Sequence, residues 1–198
     1  MENLATRNLK AGWKRFPGYE NTTAGKRIAA YLRGELGDFH QIDPKQIASL
    51  YAADRLAQIE EVEDLRNDNE VVIFDRGVTS NLIYTPARGQ SATETNELAQ
   101  YVEQLEYDVF GFPRESLVIF LEAGPEARAK IHAAKGRTTD LHESDNEYLQ
   151  KVREVALARC ETDFRWQKIT VDRGGELHRR DEIVEEILNL VLEKLQRK

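Results

Sequence analysis

The sequence predicts an α/β fold built on a doubly wound parallel sheet, and three observations lead there. Short continuous apolar runs occur at Val71-Val72-Ile73-Phe74, at Leu117-Val118-Ile119-Phe120-Leu121 and at Ile169-Thr170-Val171. Runs of this length without polar alternation fit parallel strands covered on both faces. An acid follows each run at once: Asp75, Glu122 and Asp172. An open α/β sheet gathers its chemistry at such places, beyond the carboxyl ends of its strands. Helical patterns separate the runs, and strands alternating with helices wind a sheet on both faces.

The helices follow in order. Lys26 to Leu32 reads as an ordinary helix start. Asp43-Pro44 caps and opens the next helix, with Gln46 at the return position of a capping box. Its apolar positions Ile47, Leu50, Tyr51, Leu56, Ile59, Val62 and Leu65 recur every three to four residues. Leu98, Val102, Leu105 and Val109 mark another helix. Ser144 with Glu147 forms a second capping-box pattern ahead of Leu149, Val152, Val155, Ala156 and Cys160. The last helix has the cleanest pattern, with Ile183, Ile187, Leu188, Val191 and Leu195 on one face.

The chain has 198 residues, enough to bury a real core, and neither repeat nor linker divides it. A single domain over residues 1–198 is expected. The net charge of −7 argues against nonspecific adhesion to nucleic acid. No apolar stretch is long enough to cross a bilayer, and the first ten residues lack a signal-peptide core. Cys160 is the only cysteine, so no internal disulfide forms and a cytoplasmic location is expected. In its amphipathic setting it reads as a buried structural thiol.

Some residues could do chemistry. Asp75 at a strand end can offer a carboxylate to Mg²⁺ or to a substrate hydroxyl. Arg76 beside it presents a planar fork suited to phosphate. Tyr51 and Arg55 lie four apart on one helical face, where a ring can stack on a base and a guanidinium can reach a carbonyl or phosphate. Spacing alone favours a core tyrosine with a solvated arginine. Arg15-Phe16-Pro17 adds a third cationic contact.

The polar stretch Ala134 to Asp140 suits a surface connection. The sharper alternative is a basic lid over a phosphate site, with Lys135 and Arg137 carrying the charge. His40, His132, His142 and His178 are scattered, and no Cys-x-x-Cys or Gly-x-Ser-x-Gly exists. Gly18 to Lys26 imitates a phosphate-binding loop but fails its spacing. Six residues separate the two glycines, Arg27 replaces the hydroxyl residue after the lysine, and no buried strand is expected before it.

Together these pieces resemble the thymidylate kinase family, P-loop enzymes that move a phosphoryl group from ATP to dTMP. The resemblance is carried by Arg15-Phe16-Pro17, by Ile42-Asp43-Pro44-Lys45 running into Leu50-Tyr51-Ala52-Ala53-Asp54-Arg55, and by Asp75-Arg76-Gly77-Val78-Thr79-Ser80-Asn81-Leu82-Ile83-Tyr84. The last segment is similar to the family's Asp-Arg-Tyr-x-x-Ser-x-x-Ala-Tyr, with Gly77 and Ile83 as its departures. Leu121-Glu122-Ala123-Gly124-Pro125-Glu126 resembles a Leu-Asp-x-x-Pro-Glu turn.

The resemblance implies a three-layer parallel sheet of the P-loop nucleotide kinase type, dTMP and ATP as partners, Mg²⁺ as cofactor, and a homodimer. It implies that Tyr51 stacks on thymine and Arg55 contacts the base side, while Arg15 and Arg76 hold the phosphate. Phe16, Pro17, Ser80 and Tyr84 would line the same pocket. Asp75 would serve the reacting centre and the metal, Arg137 would act from a lid at about residues 134–143, and Asp172 and Arg173 would lie near adenine.

Against the family pattern, Glu2 to Ala11 looks like the helix after a phosphate loop, and the strand at Gly12-Trp13-Lys14 looks clipped. The family's first strand and its Gly-x-x-x-x-Gly-Lys-Ser/Thr loop are not among these 198 residues. A non-catalytic nucleotide- or partner-binding relative, or a kinase for another nucleoside monophosphate, are the alternatives.

Overall fold

The structure, a computed structural model, describes residues 2–5, 7–135, 142 and 145–196. They fall into two compact units, one of Met1–Arg114 with Asp140–Val152, the other of Glu115–Thr139 with Arg153–Lys198.

In the first unit, α1 (Glu2–Ala5) is a single turn, and β1 (Ala11–Arg15) begins soon after it. The helix expected through Ala11 therefore stops early, and the strand that looked clipped has its full five residues. Asn8 adopts a positive φ of 58°, which breaks the helix. The Lys10 carbonyl then accepts from the Glu70 and Val71 amides, joining the chain to β2 (Val71–Asp75). The two strands run parallel, with Ala11 opposite Val71 and Arg15 opposite Asp75.

Strand β1 escapes an apolar-run search because its inward residues are Gly12 and Lys14. A β-carbon on Gly12 would meet Asn69 Nδ2 at 2.9 Å and Leu65 Cδ2 at 3.0 Å, so the glycine lets the neighbouring helix lie close. Lys14 pairs with Glu61 of that helix, α4 (Ile59–Asp68). Every residue of β2 is half-buried. The sealing of both strand faces expected from the apolar run is not reached.

Helix α2 (Thr23–Leu32) is capped by Thr22, whose hydroxyl accepts from the Gly25 amide at 2.7 Å. Helix α3 (Pro44–Leu56) is capped by Asp43, which accepts from the Lys45 amide at 2.8 Å. The helix expected to continue to Leu65 breaks at Ala57 and Gln58, and α4 is a separate element. Gln58 folds its amide back onto the Asp54 carbonyl and carboxylate, both at 3.0 Å.

Helix α5 (Val78–Tyr84) leads through a short 3₁₀ turn to α6 (Ala92–Glu103). A π-helical turn then spans Gln104–Val109. Its wider winding rotates the side chains, so Glu106 and Tyr107 turn inward while Val109, expected on the apolar face, is 66% exposed. The core packs Phe16, Ala48, Val62, Val78, Leu82, Val102, Tyr107 and Phe112 together.

In the second unit, β3 (Val118–Glu122) pairs parallel with β4 (Trp166–Thr170), Val118 opposite Trp166. Strand β4 starts three residues before the expected run, because only Trp166 and Ile169 need burial. Leu121 is 49% exposed, so β3 is not covered on both faces either.

The hairpin of β5 (Asp172–Arg173) and β6 (Glu176–Leu177) turns through Gly174 and Gly175. Both glycines have positive φ, the conformation a two-residue hairpin loop demands. Helices α7 (Pro125–Lys135) and α9 (Arg180–Gln196) belong to this unit, as does α8 (Asn146–Thr162) from Arg153 onward. Cys160 is half-buried rather than buried, and desolvation pushes its thiol pKa up, away from nucleophilic use.

Candidate functional site

Parallel pairing in full register delivers the ends of β1 and β2 side by side. Arg15 Nε therefore reaches Asp75 Oδ2 at 3.2 Å, on an exposed lip. The next residue, Arg76, is held at φ 65°, a left-handed conformation that a non-glycine residue adopts only at a cost. That kink turns the chain from β2 toward α5.

The Arg76 guanidinium lies over the Tyr84 ring at 5.5 Å. The Tyr84 phenol is the largest influence raising its pKa, with weaker pulls from Tyr51 and Tyr19. A permanently charged fork thus sits among three tyrosines, one from the loop after β1, one from α3 and one from α5. Ser80 lies half-buried on the first turn of α5.

Other predicted residues stand behind this surface. Phe16 is 1% exposed, with Phe74 and Phe112 at 6.0 and 5.8 Å between ring centroids. Pro17 follows it, buried, through a cis peptide bond. Arg55 is 2% exposed rather than solvated. Its Nε donates to Glu106 Oε2 at 2.5 Å and its Nη2 to Glu106 Oε1.

Glu106, itself 1% exposed, also accepts from Asn81 Nδ2 at 2.7 Å. Asn81 Nδ2 donates to the Ala48 carbonyl as well, and Asn81 Oδ1 accepts from Thr85 Oγ1 at 2.7 Å. A second buried carboxylate, Asp54, takes the Gly18 amide, the Thr22 hydroxyl and the Gln58 amide. This ties down the loop that carries Tyr19.

A strand does end shortly before Gly18, contrary to expectation. The Gly18 amide nonetheless points into the Asp54 carboxylate, so it is not offered to an anion.

An aromatic group backs Tyr84. His142 stacks on it at 5.6 Å and bonds through Nε2 to the Tyr31 hydroxyl at 2.9 Å. Tyr148 donates from its hydroxyl to the Tyr84 carbonyl at 2.7 Å, and burial pushes its pKa well above the usual phenol value. An open groove of about 440 Å³ is lined by Phe39, His40, Arg88, Tyr148 and Lys151 among others, and none of the predicted nucleotide residues lines it.

In the second unit, Asp172 accepts from the Gly124 amide at 2.7 Å and from Gly175 at 3.2 Å, bracing the turn into α7. Arg173 is exposed. Arg137 lies outside the described residues, as do Ser144 and most of the lid-like segment. At the start of α8, Asp145 accepts from the Tyr148 amide at 2.9 Å, as a helix cap does.

Among the described residues no group of three His, Cys, Asp or Glu could hold a metal. Asp75 offers one carboxylate, and Mg²⁺ is commonly held by one or two protein carboxylates together with substrate phosphates and water.

Sequence reasoning missed Glu106, Asn81, Asp54 and Tyr19. A carboxylate at an inward position of the helix after Val102 was the one available signal for Glu106. The arrangement gathers aromatic faces and a fixed cation around a carboxylate-bearing strand end, which suits a planar base carrying an anionic group.

Comparison with known proteins agrees with this chemistry. Residues 3–181 match the family model for thymidylate kinase. Thymidylate kinase of Mycobacterium tuberculosis is 30% identical over 164 residues, covering 79% of this chain and 76% of that protein. The Schizosaccharomyces pombe thymidylate kinase is 27% identical over 195 residues, covering 96% and 81%. In fold, the chain is similar to the thymidylate kinase structure from Candida albicans, with a TM-score of 0.72 at 21% identity over 98% of this chain and 85% of that one. A strand-end Asp75-Arg76, a tyrosine-lined cation and a match across nearly the whole sequence converge: the chain belongs to the thymidylate kinase family.

Proposed function

We propose that the protein is a dTMP kinase, transferring the γ-phosphoryl group of ATP to dTMP. The observation that carries this reading is Arg76, strained at its backbone and set among Tyr84, Tyr51 and Tyr19 one residue beyond Asp75. Phosphoryl transfer needs little covalent help from protein; it needs position and charge.

Tyr51 gives the base a face, and Arg76 and Arg15 neutralise the monophosphate. Ser80 and Tyr84 line the pocket, while Phe16 and Pro17 shape it from the core. Asp75 orients the accepting phosphate and would hold Mg²⁺ together with phosphate oxygens. When bound, that ion draws charge off the phosphates. Arg55 serves the base side from its buried pair. Arg137 acts from the lid-like segment on the phosphates of ATP, and Asp172 and Arg173 belong to the adenine side.

The same reading takes residues 1–198 as one domain of a cytoplasmic homodimer. No described helix is long and apolar enough to cross a membrane, and no cysteine pair needs oxidation.

Calorimetry of the chain with dTMP and ATP separately, and an assay for dTDP formation, test the reading. Binding of dTMP is expected, and in a version that carries the family's phosphate loop Asp75→Ala and Arg76→Ala each lower turnover at least about tenfold, ~1.4 kcal/mol of transition-state stabilisation. A protein with no dTMP affinity, or normal turnover in both variants, overturns it.

A further inference from the structure

We infer that Glu106 is the positioning residue for base selection: from the π-helical turn, its buried carboxylate, braced by Asn81, fixes Arg55 as a rigid donor behind the base. This rests on the dTMP reading.

The three residues come from separate elements, α3, α5 and the turn after α6, and they meet at a carboxylate 1% exposed. Arg55 lies one helical turn after Tyr51, and Asn81 lies between Ser80 and Tyr84. Glu106 therefore bonds to both helices that carry the pocket's aromatic faces.

Its bonds commit Nε and Nη2 of Arg55, while Nη1 carries no bond among the described residues. A bidentate pair leaves the guanidinium plane no freedom to swing. Asn81 is equally constrained: Nδ2 faces Glu106 and the Ala48 carbonyl, so Oδ1 must accept from Thr85.

Burying this cluster costs solvation that an apolar cluster of equal volume would not, so its use lies elsewhere than stability. A donor fixed in direction discriminates between a ring that offers a carbonyl oxygen and one that offers an amino group. A thymine ring has the oxygen where cytosine has the amine.

Dissociation constants for dTMP and dCMP, measured by calorimetry on the full chain, test the inference in two variants. In Glu106→Gln the shape survives but the charge does not. dTMP binding should weaken at least about tenfold while dCMP changes by less than about threefold, narrowing the preference. Arg55→Met/Glu106→Leu, which replaces the pair by apolar volume, should fold cooperatively in urea and lose the preference as well.

A merely structural role would weaken both nucleotides alike and leave the ratio unchanged. An unchanged ratio in either folded variant overturns the inference while the dTMP reading stands. A wild-type chain that does not bind dTMP overturns both.

Discussion

Two arginines of the first unit carry the same charge and live in opposite settings. Arg55 is 2% exposed and gripped at two nitrogens by a carboxylate that is itself buried. Arg15 has 63% of its side chain exposed and meets Asp75 at 3.2 Å. The first is a fixture whose geometry the fold has already set. The second is an adaptable contact on a wet lip, free to leave its partner when a stronger anion arrives. Under the proposed dTMP reading the two settings would divide the work, a rigid group on the base side and a movable cation on the phosphate side.

The contrast can be broken most forcefully at Arg55. Arg55→Met leaves Glu106 buried without its counter-charge, and a loss of about 3–5 kcal/mol of folding stability is expected in urea unfolding. A loss under about 1 kcal/mol would mean the pair is no fixture.

Asp54→Ala tests the other buried carboxylate, stranding the Gly18 amide, the Thr22 hydroxyl and the Gln58 amide. A cost of about 1–3 kcal/mol is expected in the same measurement, together with faster hydrogen exchange at residues 18–22. Unchanged exchange there would show that the Tyr19 loop is held by something else.

The smallest effect belongs to the lip. A double-mutant cycle on Arg15 and Asp75 should give a coupling of about 0.2–1 kcal/mol that fades as salt is raised. A salt-independent coupling of several kcal/mol would erase the distinction between the two arginines.

Much of this architecture could be read from residues alone. β2 and β3 announced themselves as continuous apolar runs, and α9 by its spacing. The Asp75-Arg76 step was legible as a strand end because it directly follows an apolar run. β1 was not, because its inward residues are a glycine and a lysine whose burial depends on Asn69, Leu65 and Glu61 from α4. Nor was the break between α3 and α4. Apolar spacing runs straight through it, and the side-chain bonds of Gln58 override the periodicity.

Sequence by itself determined the local matters: the apolar runs that become β2 and β3, where Asp43 opens a helix, and which charged pair leaves a strand end. Tertiary structure alone decided the fate of Arg55. A spacing of four from Tyr51 is indifferent to whether a guanidinium meets water or a carboxylate. The partner, Glu106, is fifty-one residues away and is buried on the π turn after α6. Local spacing fixes the direction of a side chain on its own helix, whereas its protonic and ionic partners are chosen by elements distant in the chain.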